Sequence, residues 1–320
     1  MGTVVALSGG VGGAKLAQGL YQLRGRDLAV LVNTGDDYEH LGLDFSPDLD
    51  TVLYALAGIA SPASGWEPAG ETRALQAMLK MLGGPDRPIL GDKSLAAPLL
   101  RAHGLRQDRG LTEITQEFCR QLGIEARVLP MSDDRVRTHV LTADGAVPFP
   151  EYFNELACDP PALGFQYAGA EDARVSDALL DVLHSNDLEA VVLGPCNPFH
   201  SIRPILEVNG LRQLLRKRGA PVIAVTPIVG GKALTGSAGK MMRELGREVN
   251  ARSVAMEYYK LIDGFVIDGA DQDQADGIHA CGMEVVVAQT VMRNLEDRVR
   301  LAQTVLDFAR AIRERRLQEA

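Results

Sequence analysis

Six short apolar runs, at 3–7, 28–32, 190–193, 221–225, 264–267 and 283–287, recur along the chain with amphipathic stretches between them. A run this apolar must be buried on both faces, and each gap has room for a crossover helix. The chain therefore reads as α/β, with a Rossmann-like three-layer αβα core built on a mainly parallel sheet. Between 61 and 169 the pattern changes to three helix-like segments followed by strand candidates at 126–129 and 138–141 and a turn at Asp144-Gly145. We expect residues 61–169 to form a smaller inserted α/β subdomain, and 1–60 with 170–320 to form a nucleotide-binding core. The segment 295–316 carries Val299, Leu301, Ala302, Val305, Leu306, Ala309 and Ile312 near a 3.6-residue period, as a helix packed on that core would.

Charge narrows the partners. With 42 acidic against 33 basic residues the net charge is −9, which argues against a broad nucleic-acid or membrane surface and favours small-molecule partners. The four cysteines form no CxxC pair, so neither a thiolate zinc site nor a disulfide framework is expected. The opening residues carry no secretion-signal pattern and no later run is long enough to cross a bilayer, so a cytoplasmic protein is expected. The six histidines show no metal-ligand spacing.

The chemistry-bearing motifs follow the strand candidates. After the first comes Ser8-Gly9-Gly10-Val11-Gly12-Gly13-Ala14-Lys15, where bare backbone N–H groups at a helix start can approach a phosphate. It is neither a P-loop, because Leu16 stands where Ser or Thr would hold Mg²⁺, nor a GxGxxG fingerprint, because Lys15 takes the third glycine position. After the second come Asn33-Thr34-Gly35-Asp36-Asp37 and Ser46-Pro47-Asp48-Leu49-Asp50. Ser46 and Pro47 read as a helix start with one acidic residue explained by the first turn. Further aspartates beside a phosphate loop suit a hard cation such as Mg²⁺. Gly194-Pro195-Cys196-Asn197-Pro198 and Thr226 to Lys232 follow later strands and should emerge at the same sheet edge, with Asn197 offered to a base and Lys232 and Lys240 to phosphates. The same two segments also read as ordinary turns and solvated lysines.

Taken in order, these motifs, with Leu129-Pro130-Met131-Ser132-Asp133-Asp134 and Thr226-Pro227-Ile228-Val229-Gly230-Gly231, resemble the 2-phospho-L-lactate transferase (CofD-like) family of coenzyme F-420 biosynthesis over nearly the whole chain. The resemblance implies a transferase that moves a phospho-acid (2-phospholactyl, phosphoenolpyruvyl or 3-phosphoglyceryl) from a GDP-linked donor to the ribityl hydroxyl of the deazaflavin Fo, releasing GMP. It implies Mg²⁺ held by Asp36, Asp37 and Asp50, with Asp50 also catalytic and Fo bound by Asp50 and Lys93. Nucleotide and phosphates would lie on Gly9, Gly10, Val11, Gly12, Gly13, Lys15, Asn197, Pro198 and Lys232, in a homodimer. Family members commonly read Gly-Asp-Arg-Asp with a histidine shortly after, whereas this chain has Gly91-Asp92-Lys93-Ser94 and no such histidine, so the Lys93 segment departs from the pattern. Trp66, Tyr38 and Phe199 are the aromatic residues nearest the motifs and are candidate walls for the Fo ring.

Two other classes compete. A non-catalytic regulator of the gluconeogenesis-factor type shares the glycine-rich start but tends to follow its Asp-Asp with a Gly/Ser/Arg segment. Here Tyr38-Glu39-His40-Leu41-Gly42 stands in that place, which favours the transferase. A nicotinamide oxidoreductase is disfavoured by the failed fingerprint.

Overall fold

The structure is a computed structural model that describes residues 2–217 and 219–319. Its centre is a seven-stranded sheet of β1 (Thr3–Ser8), β2 (Leu28–Val32), β3 (Arg127–Pro130), β4 (Leu188–Leu193), β5 (Val222–Val225), β6 (Gly264–Asp268) and β7 (Glu284–Ala288). The strand order is β3-β2-β1-β4-β5-β6-β7 and every pairing is parallel. The first six follow the doubly wound order, which reverses between β1 and β4 and opens a crevice at their carboxyl ends.

Alternation along the strands builds two cores. Val4, Ala6, Val30 and Val192 face one layer, while Val5, Leu7, Leu31 and Leu193 face the other. On the first face lie α1 (Gly10–Arg24), α2 (Pro47–Leu56) and the closing helix Leu295–Glu319, which buries Leu301, Ala302, Val305, Leu306, Ala309 and Ile312 as its period predicted. Gly19 of α1 lets the closing helix approach, since a Cβ there would stand 2.2 Å from the Arg298 carbonyl oxygen.

The 61–169 stretch divides between two structures. Its strand β3, with the helix Leu111–Gln121 before it, completes the main sheet by pairing with β2, so that part of the expected insert belongs to the core. The sequence hid this because a four-residue edge strand carries no mark of which sheet it joins. The rest forms the helices Ala74–Met81 and Ala96–Leu105 and a three-stranded antiparallel sheet in which Arg137–Thr142 lies between Gly145–Pro148 and Gly164–Ala168. A short hairpin, Tyr38–His40 paired with Leu43–Phe45, projects after β2. Among the described residues no helix is long and apolar enough to cross a membrane.

Candidate active site at the strand-order reversal

The glycine-rich turn packs against the turn after β4. A Cβ on Gly12 would meet the Pro195 carbonyl oxygen at 2.3 Å, and one on Gly13 the Cys196 sulfur at 2.5 Å. Close packing alone thus requires two of the glycines, and Gly10 is set by its φ of +66°. The Gly9 N–H donates to Cys196 Sγ at 3.3 Å and the Gly10 N–H to Asp48 Oδ1 at 2.7 Å. Val11 and Gly12 stay in the first turn of α1, where N–H groups have no intrahelical acceptor and point toward the crevice end.

Asp48 is the hub. Its second oxygen accepts from Asn33 Nδ2 at 2.9 Å, and Asn33 also donates to the His200 carbonyl at 3.1 Å, tying β2, α2 and the β4 turn together. Burial, followed by the nearby charge of Asp36, pushes the Asp48 carboxyl up to about 6. His200 Nδ1 lies 2.9 Å from Asp36 Oδ2, and its ring stacks on Phe149 at 4.0 Å. Asp37 Oδ2 accepts from Ser46 Oγ at 2.6 Å, and burial lifts Asp37 to about 8. Ser46 occupies the N-cap position of α2 but makes no capping bond, because its hydroxyl is given to Asp37.

Asp50 lies one turn along α2 and has a different partner. It is paired with Arg101, whose other guanidinium nitrogen donates to the Asp44 carbonyl at 3.0 Å; Arg101 is 1% exposed. Burial raises the Asp50 carboxyl and the Arg101 charge opposes it. A cavity of about 90 Å³ is lined by Asp50, Tyr38, Tyr54 and Trp66 with Gly91 and Ser94. The loop carrying Trp66 lies across α1, for a Cβ on Gly65 would stand 2.7 Å from Val11 Cγ1 and 3.9 Å from Lys15 Cε. Lys15 is half-buried, and burial with the neighbouring Arg298 charge lowers its ammonium.

Not every expected residue arrives here. Phe199 is buried and stacks on Phe165 at 5.6 Å, so it is core rather than a wall of this cavity. Lys93 turns its ammonium onto the Ala69 carbonyl at 2.6 Å and is not among the cavity's lining residues, unlike its neighbours Gly91 and Ser94. Asn197 uses its Oδ1 to accept from the Phe199 N–H at 2.9 Å and sends Nδ2 to Met241 Sδ at 3.4 Å, the turn-forming use of an Asn-Pro pair, with Pro198 opening the next helical turn. Lys232 stands exposed on the hairpin of Ile228–Val229 with Lys232–Ala233. Lys240 is held by Tyr152, Pro160 and Glu244. Three participants escaped the sequence. Asp48 is in a quoted motif but has no role of its own in the sequence, His200 has no metal-ligand spacing, and Arg101 carries no motif at all.

For a metal, the acidic set is narrower than Asp36, Asp37 and Asp50 together. Among the described residues no group of three His, Cys, Asp or Glu side chains could hold one ion, and Asp50 is taken by Arg101. Asp36 Oδ1 and Asp37 Oδ1, however, are buried without a hydrogen-bond partner among the described residues. Two hard, uncommitted oxygens beside a phosphate-approach turn fit Mg²⁺, which takes one or two carboxylates and completes its shell with water and phosphate oxygens.

The chain is similar to known proteins over nearly its whole length. The family model for 2-phospho-L-lactate transferase CofD matches residues 4–304. A 2-phospho-L-lactate transferase of Methanopyrus kandleri is 40% identical over 95% of this chain and 96% of its own. A phosphoenolpyruvate transferase of Kitasatospora aureofaciens is 36% identical over 97% of this chain and 98% of its own. A solved UPF0052 family protein of Bacillus halodurans shares the fold, with a TM-score of 0.60 at 16% identity over 95% of this chain and 98% of that one.

Proposed function

Since the chain belongs to the 2-phospho-L-lactate transferase CofD family, we propose that it transfers a phospho-acid from a GDP-linked donor to the terminal ribityl hydroxyl of Fo in coenzyme F-420 biosynthesis. The hydroxyl oxygen attacks the β-phosphorus, the bond from that phosphorus to the oxygen of the α-phosphate breaks, and GMP leaves. Phosphoryl transfer of this kind asks the protein mainly for positioning and charge neutralisation.

The observation that carries the reading is the meeting of three things at the strand-order reversal: the first turn of α1, the uncommitted oxygens of Asp36 and Asp37, and the aromatic cavity at Asp50. In this reading the Val11 and Gly12 N–H groups receive donor phosphate. Asp36 and Asp37 hold Mg²⁺, which supplies positive charge to the phosphate oxygens when bound. Asp48 fixes the turn through Gly10 and Asn33. Asp50, being paired with Arg101, serves as a fixed acceptor for an Fo hydroxyl rather than as a mobile proton carrier. Trp66 and Tyr38 flank the ring. Outward movement of the Trp66 loop would widen the cavity at Asp50 for the ring. A homodimer completes the reading.

The test is GMP release from each GDP-linked acid. Release that requires both Fo and Mg²⁺, and stops with EDTA, is expected; release independent of Fo would replace the transferase with a donor hydrolase. GDP should also raise the melting temperature where NAD does not, and equal stabilisation by ADP would remove the guanine assignment.

A further inference from the structure

A cavity of about 620 Å³, the largest of those described, lies beside the Asp36–Asp37 pair and has no part in the account so far. Asp37 and Tyr38 form its near wall, and Tyr38 also lines the aromatic cavity at Asp50, so the two spaces share a boundary. Its floor comes from the strand Arg137–Thr142 and the residues just before it. Arg135, Arg137 and His139 sit at two-residue spacing there, and all line the cavity. Alternate residues of a strand share a face, so Arg137 and His139 lie on one side of it, with Arg135 just before; the two arginines also border a neighbouring cavity beside Asp44 and Arg101.

Arg137 is the member with a buried nitrogen left open. Its Nη1 is spent on the Thr34 and Val136 carbonyls at 3.4 and 2.6 Å, while its Nε is buried and unpartnered among the described residues. His40 Nε2, on another lining residue, is likewise buried without a partner among the described residues. Buried polar atoms left open at a cavity are the mark of a polar occupant, because each would otherwise carry a desolvation penalty. Glu39, Glu151 and Glu155 line the cavity as well, and with Asp37 they outnumber the two arginines. An anionic group therefore gains there only where it meets Arg135 or Arg137 directly.

We propose that this cavity receives the carboxylate end of the transferred acid, with Arg137 as the group that binds it. The inference rests on the transferase reading, which supplies a phospho-acid whose phosphorus reacts at the Asp36–Asp37 edge. The phosphates are already provided with the first turn of α1 and two carboxylate oxygens fit for a cation. The carboxylate is the one remaining charge of that substrate, and Arg137, whose charge also faces Asp37, is the cation with a free nitrogen at this cavity. A guanidinium edge offers parallel N–H groups that match the two oxygens of a carboxylate. Donor choice among acids of different length would then be set by the span from the α1 turn to Arg137.

The test is calorimetric titration of the full chain with phosphoenolpyruvate and, separately, with methyl phosphate, which lacks the carboxylate. In Arg137→Gln, phosphoenolpyruvate affinity should fall about tenfold or more, as loss of a hydrogen bond to a charged group gives. Methyl phosphate and Fo affinities should be unchanged. Arg135→Gln, at an exposed and tolerant position, should give a smaller fall with the same selectivity and carries the test if the first variant unfolds. Equal losses for phosphoenolpyruvate and methyl phosphate would make this a phosphate site. Loss of Fo binding instead would give the cavity to the acceptor, and no phosphoenolpyruvate binding to the unaltered chain would end the proposal. Arg137-dependent binding without GMP release would leave the subsite standing and remove the transferase reading.

Discussion

Asp48 and Asp50 stand two residues apart at the start of one helix, both buried, and their surroundings treat them in opposite ways. Asp48 is held by a backbone N–H and an amide, neutral donors, beside a second carboxylate, Asp36. Asp50 is held by a guanidinium. The first arrangement stores unneutralised negative charge at the crevice and invites a cation. The second is complete in itself and makes a rigid wall. Adjacent acidic residues in one motif can therefore divide a site between metal-attracting and substrate-positioning work.

The sharpest way to break the comparison is to remove the neutralising partner. Arg101→Met leaves Asp50 buried without its counter-charge and should lower stability by about 3–5 kcal/mol. Asp50→Asn strands Arg101 in the same way, so its activity has to be read beside its denaturation curve. The double variant should recover most of the loss. Urea unfolding of the three proteins decides it, and a single Arg101→Met variant as stable as the parent would show that the pair is not what holds the wall.

The next effect is on pH. Asp48 has a folded value near 6 against an ordinary 3.8, so the folded state holds its proton more tightly than the unfolded chain. That contribution is complete below the unfolded value and is lost as pH rises through the folded one, amounting to about 3 kcal/mol by pH 7. Asp37, lifted to about 8, extends the loss upward. Carboxylates such as Asp268 and Asp134, whose values are lowered, contribute with the opposite sign, so the difference between chains is the useful quantity. Asp48→Asn should gain stability relative to the parent as pH rises from 4 to 8, and Mg²⁺ should stabilise the parent most at the alkaline end. Parallel stability curves for the two chains would contradict the unneutralised charge at Asp48.

How far the sequence reached can be read from these same residues. The alternation of apolar runs located six of the seven parallel strands to within two residues, because full burial on both faces leaves a strong signal. It did not show that β3 leaves the insert for the main sheet, since pairing partners are set by tertiary packing. Motif position brought the α1 turn, Asp36, Asp37 and Asp50 to one edge, and two of the three aromatic candidates, Trp66 and Tyr38, line the cavity beside Asp50. It misjudged Phe199, which packs inward, and could not see Arg101, whose only signal is an arginine with no visible partner in a helix. Asp48 and His200 were legible as residues but not as partners, because 38 and 164 positions separate them from Gly10 and Asp36.

The smallest effect concerns Trp66, which is 47% exposed and carries little of the fold. Trp66→Ala should leave stability within about 0.5 kcal/mol while weakening Fo binding, and Fo should quench the Trp66 fluorescence and protect the 60–70 loop from proteolysis. Unchanged Fo affinity together with unchanged protection would remove the loop from the site and leave Tyr38, Phe45 and Tyr54 as its aromatic walls.

Transfer to Fo can be read by mass spectrometry of Fo after incubation with the full chain, Mg²⁺ and each GDP-linked acid in turn. The account predicts that Fo gains the mass of one phospho-acid with equimolar GMP, for at least one of the three acids, and that Asp36→Asn with Asp37→Asn abolishes the gain in a folded protein. Unmodified Fo with all three donors, from a protein that still binds GDP, would contradict it and leave a nucleotide-binding protein without the transfer.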